Sequence, residues 1–247
     1  MPAQDPTERV GNFDEVALGY SEDMAVGEAE RCLECKKPKC VDSCPVGIDI
    51  PAFVHAVADG RFAEALAIIK ADNTLPAICG RVCPQEDQCE ETCVTGNKGE
   101  PVAIGRLERY VADLERESGE VEMPLCEESS GFKVGVIGSG PAGISFAYQM
   151  ARRKYPVTLY ERSTSPGGML RNEIPSYRLP VDVLEREIEK IVDLGVDLQL
   201  GMDVGPGLSL EVLRQRHRLL FLGMGAQHAR GLGIPGGEGA GDWSGIE

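Results

Sequence analysis

Eight of the nine cysteines lie between positions 32 and 93, in two closely spaced runs. The first run is Cys32-x2-Cys35-x4-Cys40-x3-Cys44-Pro45, and the second is Cys79-x3-Cys83-Pro84-x4-Cys89-x3-Cys93. Thiolates at such spacing can converge on one iron-sulfur cluster, and a Cys-Pro pair at the end of a run commonly reaches a neighbouring cluster. The pattern therefore indicates two cubane clusters of the 4Fe-4S type.

Two other uses of these thiols have to be weighed. Structural zinc sites also use C-x2-C pairs, but they usually repeat the pair at both ends of a finger, whereas this sequence has one such pair. Disulfides belong to oxidising compartments. The first thirty residues contain no apolar segment of a signal peptide, so a reducing, cytoplasmic setting is expected and clusters are favoured over both alternatives.

A glycine-rich motif follows a short apolar run at 133–137 and spells Gly138-Ser139-Gly140-Pro141-Ala142-Gly143. Between a strand and a helix, such glycines let the backbone approach a pyrophosphate, which the helix N-terminus attracts. Glu161 follows the next apolar run, where an acidic side chain would take a ribose hydroxyl. The context predicts a dinucleotide site. A second literal match, at 231–236, follows no strand directly and is interrupted by Pro235, so it is interpreted as a surface loop.

The elements around these motifs predict two domains. Residues 1–20 mix prolines, glycine and charges without a period, which indicates an extended or loosely ordered arm. Helices are predicted at 21–30, 51–59, 62–71 and 101–117, and they make residues 1–125 an all-α domain. A polar linker at 118–131 precedes an α/β, Rossmann-like domain at 126–247. Its predicted strands are 133–137, 156–160, 196–200 and 219–222, and its predicted helices are 141–153, 181–194 and 208–216.

Composition excludes two classes of partner. The formal net charge is −15, and no basic face is large enough to bind a nucleic-acid backbone. No stretch approaches the ~18 consecutive apolar residues of a membrane-spanning helix. His55, His217 and His228 are scattered along the chain, so the sequence indicates no general acid or base.

Residues 31–54, 75–93, 101–115 and 134–180 resemble a known family. They are similar to the small subunit of NADPH-dependent glutamate synthase, the large subunit of the bifurcating NADH-dependent ferredoxin:NADP oxidoreductase and the N-terminal half of dihydropyrimidine dehydrogenase. The resemblance runs from about Asn12 to residue 247.

The resemblance implies a ligand set for each cluster. The first would be held by Cys32, Cys35, Cys40 and Cys93. The second would be held by Cys44, Cys83, Cys89 and a carboxylate, Glu108, and Cys79 would be left over. From the charge pattern alone, Glu108 is interpreted as a helix-surface carboxylate. As a ligand it would be harder than a thiolate and would change the cluster potential.

The resemblance also implies FAD at residues 138–143, with Glu161 on the ribose and Gly168, Met169, Arg178 and Val204 along the cofactor. Family members continue with an NADPH-binding domain, and this sequence ends where that domain would begin. The expected protein is a cytoplasmic electron-transfer subunit that relays electrons between flavin and partner oxidoreductase subunits in a hetero-oligomer, with NAD(P)H reached through another subunit. The alternatives are a non-catalytic scaffold subunit and a zinc-binding interaction module.

Overall fold

The computed structural model describes residues 1–119, 131–205 and 207–226. Residues 1–119 form α-helices, two short 3₁₀ helices (Gln85–Asp87 and Val94–Asn97) and one isolated β-bridge between Ala3 and Ala17. The α-helices of this part are α1 (Pro6–Arg9), α2 (Glu22–Ala29), α3 (Lys39–Asp42), α4 (Ile50–Ala58), α5 (Phe62–Asp72), α6 (Pro76–Val82) and α7 (Ile104–Ser118).

The longer helices lie where the sequence predicts them. Ser21 caps α2, and its hydroxyl accepts a hydrogen bond from the N–H of Met24. Helix α7 begins three residues after Pro101, at Ile104. The sequence does not predict α3, which lies inside the first cysteine run, or α6, which begins at Pro76 and extends into the second run. Helices of four and seven residues are too short to display a helical period.

Residues 131–226 form a parallel sheet with helices around it. The elements are β1 (Val134–Ile137), α8 (Pro141–Ala151), β2 (Val157–Tyr160), α9 (Met169–Asn172), α10 (Val181–Asp193), β3 (Asp197–Gln199), α11 (Leu210–Arg216) and β4 (Leu219–Leu222). Strand order is β3-β2-β1-β4, and all three pairings are parallel. The carboxyl ends of β1, β2 and β4 therefore meet at one edge, where ligands of open α/β sheets bind.

Three predictions concern segments outside the described residues. Most of the linker at 118–131, the motif at 231–236 and His228 lie there. Within the described parts of the chain, no helix is both long enough and apolar enough to span a membrane.

The N-terminal arm is ordered, so of the two predicted forms, extended or loosely ordered, the loosely ordered one is wrong. Glu15 accepts hydrogen bonds from Arg81 at 2.8 Å and forms an ion pair with Arg109 at 3.0 Å, which fastens the arm to α6 and α7. The N–H of Val16 also donates to the carbonyl of Tyr177 at 3.0 Å. Partners more than 60 residues away hold this segment, and local sequence carries no sign of them.

The helical part and the sheet part share one continuous core, which extends from Ala25 on α2 to Val196 beside β3. A buried ion network crosses the same boundary. Lys190 on α10 donates to Glu187 at 2.7 Å and to Glu115 on α7 at 2.9 Å, and Glu115 also pairs with Lys70 on α5. Burial raises the pKa of Glu187 despite the neighbouring cation, so its charge depends on Lys190.

Replacing Lys190 by methionine should lower the free energy of unfolding by about 3 kcal/mol, because it leaves a buried carboxylate without its cation. The matched control is Arg186→Met on the same helix, whose ion pair with Glu189 is exposed and should change stability by less than about 1 kcal/mol. Chemical denaturation of both variants measures the difference. Equal effects would contradict the role given to the buried network.

Candidate functional site

The four thiols assigned to the first cluster surround one cavity, which is lined by Cys32, Cys35, Cys40 and Cys93. Cys32 lies just after α2, Cys40 lies within α3, and Cys93 comes from the second cysteine run, immediately before a 3₁₀ helix. The cavity is otherwise mostly apolar, with Ile50, Val54, Val102 and Ile104 among its lining residues. The cavity thus joins Cys93 to three cysteines that lie 53 or more residues before it in the sequence.

The electrostatics of this cavity suit a cationic group. Burial raises the pKa of Cys40 to about 11, and the nearby Cys93 and Cys32 thiols add to the shift. Burial also raises the pKa of Cys32, with further contributions from Cys93 and Cys35. Burial opposes the lowered pKa of Cys93, but hydrogen bonds from Thr95 and from backbone N–H groups outweigh it. Thiolates that repel one another in this way become stable when a metal centre binds them.

The donors assigned to the second cluster also lie close to one another. Burial raises the pKa of Cys89 to about 12, with contributions from Glu90, Cys44 and Glu108. Burial, with a contribution from Cys83, raises the pKa of Glu108 to about 8. Cys89 thus interacts electrostatically with Cys44 and Glu108, and Glu108 interacts with Cys83, although these groups come from both cysteine runs and α7.

Glu108 is buried, with 6% of its surface exposed, so its interpretation as a helix-surface carboxylate is wrong. Its Oε1 accepts a hydrogen bond from Nδ2 of Asn73 at 2.6 Å. Its Oε2 accepts no hydrogen bond from the described residues. Gly80 allows α6 to pack closely against α7, the helix that carries Glu108, since a Cβ at Gly80 would lie 2.6 Å from the backbone nitrogen of Arg109. A buried carboxylate with one free oxygen beside thiols fits the donor set of a cluster.

Cys79 lies beside the second donor set. Its Sγ is 3.5 Å from Oδ1 of Asn73, and its thiol also hydrogen-bonds to Cys83. That bond lowers the pKa of Cys83 to about 7 and raises the pKa of Cys79. Cys83 is thus favoured as a thiolate and Cys79 as a thiol.

The described cysteines are all free thiols. Among the described residues, no three His, Cys, Asp or Glu side chains are grouped so as to hold a single metal ion. A cluster of four irons is larger than one ion and separates its ligands further.

The glycine-rich loop joins β1 to α8, and glycine is required at each of its three positions for a different reason. Gly138 has φ of +96°, a conformation that side chains rarely adopt. A Cβ on Gly143 would lie 1.8 Å from the carbonyl oxygen of Gly138, so only glycine lets the helix pack against the strand. A Cβ on Gly140 would meet no protein atom within 4 Å. Open space at the second glycine is what a close-lying pyrophosphate requires.

Ser139, which the sequence analysis did not single out, organises this loop from a fully buried position. Its N–H and hydroxyl both donate to Oε2 of Glu161, at 2.9 and 2.6 Å, and its hydroxyl accepts from the N–H of Gly167 at 3.1 Å. Oε1 of Glu161 accepts from the N–H of Ser163 at 2.8 Å. Burial opposes the lowered pKa of Glu161, but these bonds outweigh it. Contact between Glu161 and a ribose stays a prediction.

The other residues predicted along the cofactor lie in several places. A Cβ on Gly168 would lie 2.9 Å from Cα of Gly140, so this turn lies against the glycine-rich loop. Exposed Met169 follows it at the start of α9. Val204 packs with Ile137 and Tyr160 at the carboxyl ends of β1 and β2. Arg178 is exposed and lines a cavity with the N-terminal arm, α6 and α7.

Two family models match the chain. Residues 9–120 match the 4Fe-4S cluster domain II of dihydropyrimidine dehydrogenase. Residues 136–195 match an NAD(P)-binding Rossmann-like domain. This segment includes the second half of β1, the glycine-rich loop and Glu161.

Curated relatives agree with the models. The NAD-dependent dihydropyrimidine dehydrogenase subunit PreT of Escherichia coli is 37% identical over 89% of this chain and 53% of its own length. The glutamate synthase small chain of Azospirillum brasilense is 36% identical over 96% of this chain and 49% of its own length. The beta subunit of an NADP(+)-dependent formate dehydrogenase of Moorella thermoacetica is 41% identical over 80% of this chain and 31% of its own length. The chain thus spans about half the length of the first two relatives. Its homologues include the glutamate synthase small chain and PreT, and its first 120 residues contain the match to the 4Fe-4S domain.

Proposed function

We propose that the chain carries two 4Fe-4S clusters and one FAD and relays electrons within an NAD(P)H-linked oxidoreductase complex. The observation that carries the proposal is the cavity around Cys32, Cys35, Cys40 and Cys93, since it joins thiols of both runs in the combination the family resemblance implies. Partner subunits are proposed because relatives are named as subunits.

The second cluster would be held by Cys44, Cys83, Cys89 and Glu108. Their mutual effects on pKa and the free Oε2 of Glu108 support this set. Asn73 would keep the carboxylate in place, and the mostly apolar packing of the helices would limit water around both clusters, which influences their reduction potentials.

FAD would lie at residues 138–143, with Gly140 facing the pyrophosphate and Ser139 holding the loop. FAD is proposed in preference to NAD(P) because the family resemblance implies it. A flavin exchanges electrons singly or in pairs, whereas each cluster exchanges one at a time. The chain's contribution is to bind the dinucleotide at the sheet edge and to hold the helical part against it through the shared core and the Lys190 network.

Purification without oxygen, followed by analysis of iron, sulfide and released flavin, tests the proposal. We expect about eight iron atoms, about eight sulfides and about one FAD per chain. A colourless protein holding about two zinc ions would refute the clusters and support a zinc-binding module. Release of NAD(P) in place of FAD would refute the flavin assignment alone.

A further inference from the structure

Asn73 lies between two candidate donors of the second cluster. It occupies the three-residue connection between α5 and α6 and is 6% exposed. Its amide nitrogen donates to Oε1 of Glu108 at 2.6 Å. Its amide oxygen accepts from the N–H of Leu75 at 3.0 Å and from the Cys79 thiol at 3.5 Å. The amide thus binds a carboxylate at one end and a thiol at the other.

The arrangement matters because the second site offers more donors than a cubane cluster takes. Glu108 interacts with Cys83, Cys89 and Cys79, and Cys89 interacts with Cys44, so five donors are available. A cubane is held by four protein ligands. A thiol has one hydrogen to donate. The hydrogen bond to Oδ1 of Asn73 at 3.5 Å holds the Cys79 sulfur at the opposite end of the amide from Glu108. On the other side, the bond from Asn73 fixes Glu108 and leaves Oε2 as its free oxygen.

We propose that Asn73 is a positioning residue that selects Glu108 over Cys79 as the fourth ligand of the second cluster. It does so by orienting the carboxylate of Glu108 and by accepting a hydrogen bond from the thiol of Cys79. The inference rests on the proposed function, because it presumes that a cluster occupies the site. Asn73 itself would contact no iron and would act through its two neighbours, Glu108 and Cys79.

The next residue supplies a matched control. Oγ1 of Thr74 lies 3.4 Å from Oγ of Ser145 and 3.3 Å from Nε2 of Gln149, both on α8. Thr74→Val removes these contacts in the same connection without touching Glu108 or Cys79. Asn73→Asp keeps the oxygen that accepts from Leu75 and Cys79, so it preserves the turn. It removes only the donor to Glu108 and replaces it with a repelling charge.

The test is EPR spectroscopy and redox titration of the reduced, cluster-loaded protein with wild type, Asn73→Asp, Asn73→Ala and Thr74→Val. We expect both Asn73 variants to change or lose the signal and midpoint potential of one cluster and to leave the other unchanged, while Thr74→Val changes neither. If Asn73→Ala fails to fold, Asn73→Asp decides.

Two outcomes would overturn the inference: unchanged spectra in Asn73→Asp, or equal loss of both clusters, which would make Asn73 a residue of folding alone. Failure of the proposed function is distinguishable, because the wild-type protein would then lack the second cluster altogether.

Discussion

Replacing Cys93 by alanine is expected to remove one cluster and to leave the other in place, so the iron and sulfide content should fall by about half. Cys93 is the member of the second cysteine run that lines the cavity with Cys32, Cys35 and Cys40. A cubane that loses one of four thiolates loses much of its stability, because each ligand also holds the surrounding loops. Iron and sulfide analysis with EPR of the reduced variant measures the effect.

Cys79→Ala is the matched control for this experiment. Cys79 is also a partly buried cysteine of the second run, but it lies outside the ligand set and hydrogen-bonds to Asn73. The variant should keep both clusters. Loss of a cluster from Cys79→Ala together with full retention in Cys93→Ala would contradict the assignment of ligands.

Gly143→Ala should abolish the retention of FAD and destabilise the sheet domain. Its Cβ would lie 1.8 Å from the carbonyl oxygen of Gly138, and backbone on both sides of that contact cannot move without opening the loop between β1 and α8. Flavin released per chain and the thermal unfolding temperature are the measurements.

Gly140→Ala and Gly27→Ala separate binding from folding. A Cβ on Gly140 meets no protein atom within 4 Å, so the fold should survive while dinucleotide affinity falls by about tenfold or more, because the methyl group occupies space needed by the pyrophosphate. Gly27 lies within α2, and a Cβ there would also meet no atom within 4 Å. Gly27→Ala should therefore change neither the fold nor the dinucleotide affinity. Full flavin affinity in Gly140→Ala would argue against a pyrophosphate at this loop.

Sequence predicted those parts of the fold that depend on local patterns. The alternation of β1, α8 and β2 follows from apolar runs and the glycine-rich motif, and the start of α2 follows from Ser21 as a cap. Gly138 and Gly143 could be singled out because the motif has a fixed relation to a strand and a helix.

Other features depend on partners distant in sequence. The burial of Glu108 results from the close approach of α6 to α7 at Gly80, and a charged residue in an amphipathic helix gives no sign of it. Asn73 and Ser139 have no motif of their own, because their roles arise from contacts with residues 35 and 22 positions away. The ordered arm likewise depends on Glu15 meeting Arg81, which is 66 positions away.

Seven thiols and one carboxylate are proposed to hold two clusters in this chain. Spin quantitation by EPR of the anaerobically purified and reduced protein tests it most directly. We expect about two reducible clusters per chain, one of which is altered in Glu108→Ala while the other is not. A single cluster per chain, or two clusters that are both indifferent to Glu108, would contradict it.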